Sequence, residues 1–173
     1  MANHVINHLI LPKNEAFRNA ILDFLAGENG SRGEVDFNTL ESMPDSVYRG
    51  PLGSEELARY PGEANWYNWS LAHWGTKWNA WDGNVSGCTL EFYTAWSPVP
   101  ELMMKLSTIF PDVEFGYSWA DEDIGFNVGS LVLKSGKVLS EVALEPGSAE
   151  AVTLARELWG IGDEEDEEGE DEE

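Results

Sequence analysis

Two stretches of this sequence show the same order of patterns: a strand, an amphipathic helix and a second strand. In the first stretch, residues 5–11 are rich in β-forming side chains, and the run ends at Pro12. Asn14 predicts the start of a helix over residues 15–26, whose apolar side chains recur every three or four positions. Residues 34–41 alternate apolar and polar side chains, which predicts a second strand and completes a βαβ unit.

The second stretch repeats this order further along the chain. Residues 88–96 alternate in the manner of a strand. Ser97 and Pro98 then predict a helix opening, with a capping hydroxyl followed by a proline, and the helical pattern ends at Pro111. Residues 113–119 alternate again, which predicts the second strand of a second βαβ unit.

The order of these patterns predicts an α+β fold of the ferredoxin-like kind, a split βαβ sandwich. Residues 43–86 depart from simple alternation, so we expect a tryptophan-rich insertion between the two βαβ halves. A hairpin with strands over residues 124–133 and 138–144 and a last helix capped by Ser148 would extend the sandwich. Residues 1–160 are therefore predicted to form one domain.

Acidic residues dominate the charge of the chain. There are 32 Asp and Glu against 10 Lys and Arg, which gives a formal net charge of −22. Ten of the negative charges lie in residues 163–173, and the body before them still carries −12. Such a body disfavours direct binding to nucleic acid phosphates. We expect residues 161–173 to be a disordered acidic tail, which either only solvates the chain or attracts a basic surface.

Tryptophan is unusually concentrated in the insertion. The chain has eight tryptophans, and five of them fall within residues 66–81. One interpretation is an aromatic platform that stacks a base, a sugar or a peptide. The other is a small aromatic core that fixes the insertion to the sheet, and it predicts that Trp74 and Trp78 are largely buried.

Histidine and cysteine are too sparse for a recognisable catalytic or metal site. His4 and His8 lie four residues apart in a predicted strand, hence about 13 Å along it, too far for one metal ion. Cys88 is the only cysteine, and a Cys88–His73 pair has no support beyond both lying near the insertion. No P-loop, serine elbow or dinucleotide-binding motif is present. We therefore expect no catalytic residue, no metal ion and no cofactor.

Targeting patterns are also missing from the sequence. The first residues, MANHVINHLILPKNE, contain a short apolar run without a basic segment or a cleavage-site pattern. No apolar run approaches the length of a membrane-spanning helix. We expect a cytoplasmic protein without a membrane partner.

Several short motifs resemble one protein family over residues 5–133. They are DFNTL at 36–40, MP at 43–44, NW at 68–69, WGTKWNA at 74–80, LEFYTAWSP at 90–98 and FP at 110–111. Together they resemble the Api-like, or YubB-like, proteins of phages and conjugative plasmids, which have a ferredoxin-like domain. The resemblance implies an accessory protein of a mobile element, and the family has no assigned catalytic residues that could be carried over to this chain. The acidic tail departs from the family pattern.

Two functions fit these observations. The first is a non-enzymatic protein that binds a host protein with a basic surface, as an acidic DNA mimic or an anti-defence inhibitor, inside a bacterial host cell. The second is a small-ligand or nucleotide-binding or nucleotide-processing module whose site lies at the insertion. A well-formed pocket lined by His73, Lys77 and Trp78 would favour it. The candidate binding residues are His73, Trp74, Lys77, Trp78, Asp121, Glu122 and Asp123.

Overall fold

The computed structural model of this chain describes residues 2–162. The strands are β1 (His4–Ile10), β2 (Trp81–Ser86), β3 (Thr89–Ala95), β4 (Phe115–Asp121), β5 (Val128–Lys134) and β6 (Lys137–Ala143). The helices are α1 (Glu15–Ala26), α2 (Ser54–Arg59), α3 (Trp66–His73), α4 (Pro100–Ile109) and α5 (Ala149–Trp159). Within residues 2–162, no helix has both the length and the apolar character needed to cross a bilayer. The predicted acidic tail lies, from residue 163 onward, outside the described residues.

The six strands form one antiparallel sheet in the order β2-β3-β1-β4-β5-β6. Strand β1 lies in the middle, paired with β3 on one side and β4 on the other. With α1 between β1 and β2 and α4 between β3 and β4, the first four strands have the split βαβ order of a ferredoxin-like fold. The hairpin β5–β6 extends the sheet beyond β4, and α5 follows it. The predicted α+β fold class is confirmed.

The strand predicted at residues 34–41 is wrong. The Asp36 side chain accepts a hydrogen bond from the Asn38 backbone N–H at 3.0 Å and starts a short 3-10 turn. Phe37 is fully buried and its ring contacts Trp74, so the alternation reflects a loop packed on the core rather than a strand. The second strand of the first βαβ unit is β2. The tryptophan-rich segment therefore lies inside that unit, between α1 and β2, rather than between the two units.

Two hydrophobic cores lie on opposite faces of the sheet. The larger core includes Leu9 and Phe115 of the sheet, Leu25 of α1 and Leu106 of α4. The smaller core consists of side chains from the sheet and from α5: Ile6, Ala120, Val128, Ala151, Ala155 and Leu158. Helix α5 thus covers part of the face that α1 and α4 leave open, where it packs against β4, β1 and β5.

Capping residues mark most of the helix ends. Asn14 begins α1 as predicted, because its side chain accepts a backbone N–H of the first turn. Ser148 caps α5 in the same way, and Gly160 ends it in the left-handed region at φ 70°. The predicted opening of α4 at Pro98 is wrong by two residues, since Pro100 is the first helical residue.

Candidate functional site

Seven aromatic side chains and one lysine form a continuous surface feature, which we call the aromatic strip. In spatial order its members are Trp66, Tyr67, Trp96, Lys77, Trp78, Trp81, Tyr93 and Trp159. Centroids of neighbouring rings lie 5.8 Å to 6.3 Å apart. All eight side chains are partly or largely exposed. Trp66 packs against the larger core, and Tyr93 and Trp159 pack against the smaller one. The strip is therefore a partly exposed surface whose two ends rest on the two cores.

Four different parts of the fold contribute to the strip. Helix α3 carries Trp66 and Tyr67, the following loop Lys77 and Trp78, the sheet Trp81, Tyr93 and the adjoining Trp96, and α5 ends with Trp159. Trp81 and Tyr93 stack because they are directly paired in the β2–β3 register. Pairing of strands thus joins the aromatic residues of the insertion to those of the sheet.

Buried and backbone hydrogen bonds hold the centre of the strip in place. The hydroxyl of Thr76, which is fully buried, donates to the Ala95 carbonyl at 2.7 Å. This bond fixes the loop of Lys77 and Trp78 beside Trp96. Trp96 itself has φ 70°, a left-handed conformation that costs a non-glycine residue about 1 kcal/mol or more. Its carbonyl accepts the Asn127 side-chain amide at 3.2 Å.

The indole N–H groups fall into two classes. Those of Trp66 and Trp159 donate to backbone carbonyls, each at 2.9 Å, so these two rings are anchored to the fold. Those of Trp78, Trp81 and Trp96 donate to no acceptor within residues 2–162. An indole N–H usually finds an acceptor when its ring becomes buried. A molecule that covered these three rings would therefore be expected to supply acceptors for them.

Negative charge gathers at the sheet end of the strip. The Tyr93 hydroxyl donates to Glu91 at 3.2 Å, and Glu91 also lies 2.8 Å from the His8 ring nitrogen. Burial raises the pKa of Tyr93, and the nearby charges of Glu91 and Asp82 raise it further. The strip thus has carboxylates at one end and the single cation Lys77 near its middle.

The structure separates His73 and Trp74 from the other predicted binding residues of the insertion. The two nitrogens of His73 lie 2.6 Å from Glu41 and 3.1 Å from Glu63, and its ring stacks on Trp69. The Trp74 indole is buried and donates to the Glu41 carbonyl at 2.8 Å. Neither belongs to the strip, whereas Lys77 and Trp78 do.

The burial predicted for the two tryptophans of the WGTKW segment is half confirmed. Trp74 is 5% exposed and packs in the main core. Trp78 is 39% exposed, so the prediction that it is largely buried is wrong. The reason is geometric: Thr76 is still buried, but its bond to the Ala95 carbonyl places the residues that follow it beside the end of β3, where the Trp78 ring reaches the surface.

The predicted acidic residues form the turn after β4. Asp121 is buried, and its carboxylate accepts the Asn3 side-chain amide at 3.2 Å and the Asp123 backbone N–H at 2.9 Å. Glu122 accepts the His4 backbone N–H at 3.0 Å. Asp121 thus orders the turn, while Glu122 and Asp123 are exposed. Binding by these three residues stays a prediction.

The remaining histidines and the cysteine occupy separate sites. His4 contacts Trp81 edge to face at 5.1 Å, while His8 pairs with Glu91. Cys88 lies in the β2–β3 turn near the Pro12 carbonyl, and His73 is held by glutamates elsewhere. Across residues 2–162, no three His, Cys, Asp or Glu side chains converge in a way that could hold a metal ion.

Sequence reasoning missed several members of the strip, among them Tyr93, Trp96 and Trp159. Alternation in residues 88–96 did contain a signal, because Tyr93 lies on the opposite face from Phe92 and thus outside the main core. No pattern along the chain links Tyr93 to Trp159, which only the packing of α5 brings to 5.8 Å.

Comparison with known proteins places the chain in a family. A family model described as the ferredoxin-like domain in Api92-like protein matches residues 73–172, more than half of the chain. The chain belongs to this family. The match to the Api92-like domain covers β2 to α5 and overlaps the earlier resemblance over residues 73–133, whereas β1 and α1 precede it. No curated protein and no solved structure matches the chain.

Proposed function

We propose that this chain is a non-enzymatic accessory protein of a phage or other mobile element, which binds a host protein with a basic surface. We assign the contact to the aromatic strip, and we place the interaction in the cytoplasm of a bacterial host cell. The observation that carries the proposal is the continuity of the strip. Partly exposed rings from α3, the loop, the sheet and α5 follow one another along it, and Lys77 links Trp96 to Trp78.

The composition of the strip is that of a protein interface. Tryptophan and tyrosine are enriched among interface residues whose truncation costs most, because they bury a large area with little loss of conformational entropy. Trp78 and Trp96 remain 39% and 38% exposed in the free chain. A partner that covered these rings would remove apolar area from water and offer acceptors to their indole N–H groups.

Charge supports a basic partner. The body carries −12 and residues 163–173 add −10, so a positively charged surface is attracted over about 8–10 Å at physiological salt. Carboxylates of Asp82 and Glu91 lie beside the sheet end of the strip. This combination suits an inhibitor that imitates the charge of DNA toward a nucleic-acid-handling or defence protein.

The alternative, a small-ligand or nucleotide-processing module at the insertion, has weaker support. A common pocket lined by His73, Lys77 and Trp78 would favour it. His73 instead bonds Glu41 and Glu63, while Lys77 lies over Trp78 and Trp96. A groove of about 420 Å³ beside the insertion is lined by Trp74 but by none of these three residues.

Capture from bacterial lysate at low and high salt tests the proposal. The parent chain, the double variant Trp78→Ala/Trp96→Ala and the matched variant Phe17→Ala are immobilised in parallel. Phe17 is 49% exposed on α1, outside the strip. We expect the parent and Phe17→Ala to retain the same basic protein at low salt, and the double variant to lose it. If the amount of captured protein changed neither with salt nor with the double substitution in the strip, the proposal would be refuted.

A further inference from the structure

The amine of Lys77 lies against aromatic rings rather than carboxylates. Its Nζ atom lies over the faces of two indoles, 4.6 Å from the centroid of Trp78 and 4.7 Å from that of Trp96. Residues 2–162 contain 22 acidic residues, yet no carboxylate among them forms an ion pair with Lys77. These distances are within the range of cation–π attraction. Trp78 and Trp96, which we call the tryptophan pair, therefore already hold a cation.

Contacts other than Lys77 hold Trp96 in position. Its backbone N–H donates to the Asn3 carbonyl at 2.8 Å, and its carbonyl accepts the Asn127 amide. The Tyr67 ring meets the Trp96 ring edge to face at 6.3 Å. These contacts do not involve the lysine side chain, so the indole is expected to keep its place when the amine leaves.

We propose that the tryptophan pair is a binding site for the cationic end of a partner's arginine or lysine side chain, and that Lys77 occupies it in the free protein. The inference rests on the proposed function, since it names the group of the basic partner that the strip recognises. Lys77 is then an internal competitor, because an incoming cation must displace its amine. Removing the amine opens the site to a cation from outside.

Charge, rather than apolar bulk, should decide what enters the site. The electron-rich face of an indole attracts guanidinium and ammonium groups, whereas a neutral side chain of similar length gains only packing. The negative field of the body adds to this preference. A cationic probe and a neutral probe of the same shape therefore separate this site from an ordinary hydrophobic patch.

The experiment follows the indole N–H signals of the ¹⁵N-labelled full chain during titration. The probes are the blocked amino acids N-acetyl-arginine methylamide, N-acetyl-trimethyllysine methylamide and neutral N-acetyl-norleucine methylamide, at constant ionic strength. We expect both cationic probes to shift the Trp78 and Trp96 signals saturably. In Lys77→Ala their Kd should be about two- to fivefold lower than in the parent. Trp66 and Trp159, whose N–H groups donate to carbonyls, provide internal reference signals.

Two control variants separate the site from general charge effects and from misfolding. Lys137→Ala, in exposed β6, removes the same charge elsewhere and should leave the Kd at the parent value. Adding Trp96→Phe to Lys77→Ala retains a ring with a weaker cation–π attraction and should raise the Kd again. If the reference signals show that Lys77→Ala is unfolded, Lys77→Gln replaces it with the same expectation.

Equal Kd values in the parent and Lys77→Ala, or equal shifts with norleucine, would overturn the inference. If lysate capture still depended on the strip in that case, the proposed function would stand with a different chemistry at the tryptophan pair. The opposite outcome is also possible: the cationic probes bind saturably and depend on Trp96, while lysate capture is unchanged by the strip variants. That result would support the cation site and refute the proposed function.

Discussion

Removal of the Tyr117 hydroxyl tests the polar network inside the main core. Tyr117 is fully buried, and its oxygen accepts the backbone N–H of Val99 at 2.9 Å and donates to the Asn7 side-chain oxygen. The Asn7 amide nitrogen in turn donates to the Thr94 hydroxyl at 3.0 Å. One hydroxyl thus connects β4 to β1 and, through Asn7, to β3. It also accepts the backbone N–H of Val99, the residue that precedes α4.

The substitution Tyr117→Phe keeps the ring and leaves two buried groups without a partner. These are the N–H of Val99, 1% exposed, and the side-chain oxygen of Asn7, 0% exposed. Each unsatisfied buried group costs about 1–3 kcal/mol, so the free energy of unfolding should fall by about 2–6 kcal/mol. For a domain of this size, that loss lowers Tm by about 5–20 °C.

Thermal and urea unfolding, followed by circular dichroism, measure this loss. The matched variant is Tyr93→Phe, which removes a hydroxyl bonded to Glu91 at a partly exposed site and should cost less than about 1 kcal/mol. If Tyr117→Phe were no less stable than Tyr93→Phe, the reasoning that the buried network stabilises the sheet would be refuted.

Three further predictions concern pH, the insertion and the tail. Burial raises the pKa of Tyr117 far above its usual range, so above about pH 10 the unfolded chain alone loses this proton. The free energy of unfolding, measured with urea, should then fall with rising pH in the parent. The fall should exceed that in Tyr117→Phe by up to about 1.4 kcal/mol per pH unit, and the same pH dependence in both proteins would contradict this. Trp74→Ala should cost about 3–5 kcal/mol and Trp78→Ala about 1 kcal/mol; equal losses in thermal unfolding would contradict their different burial. Deleting residues 163–173 removes ten negative charges and no apolar side chain, so Tm should hardly change while association with a captured basic partner slows, most at low salt. If the association rate were the same with and without residues 163–173 and at both salt concentrations, the tail would have only a solubilising role.

Elements whose signals are local were predicted well. The side chains of Asn14 and Ser148 accept N–H groups of the next turn, and Gly160 adopts the positive φ that ends α5. The hairpin between β5 and β6 likewise turns at Ser135 and Gly136, both with positive φ. Caps and turns depend on neighbours within a few residues, so composition at those positions is sufficient.

The assignment of the second strand failed because alternation alone does not make a strand. In residues 34–41, Val35 and Phe37 are buried beside more exposed neighbours, which produces the same pattern as a half-buried strand. A strand also needs a partner for its backbone groups. That partner, β3, pairs with β2, whose start at Trp81 lay within the segment interpreted as an insertion.

For the candidate site, the amino-acid sequence determined which aromatic side chains are available and that Lys77 lies beside Trp78. It also determined the negative charge of the chain, on which the proposal of a basic partner rests. Tertiary structure decided that His73 and Trp74 contact Glu41 outside the strip. It also decided that Trp96, Tyr93 and Trp159 belong to the strip. The physical reason is that ring contacts and cation–π contacts act only over a few ångströms, and the distances between residues far apart in the chain are set by strand register and helix packing.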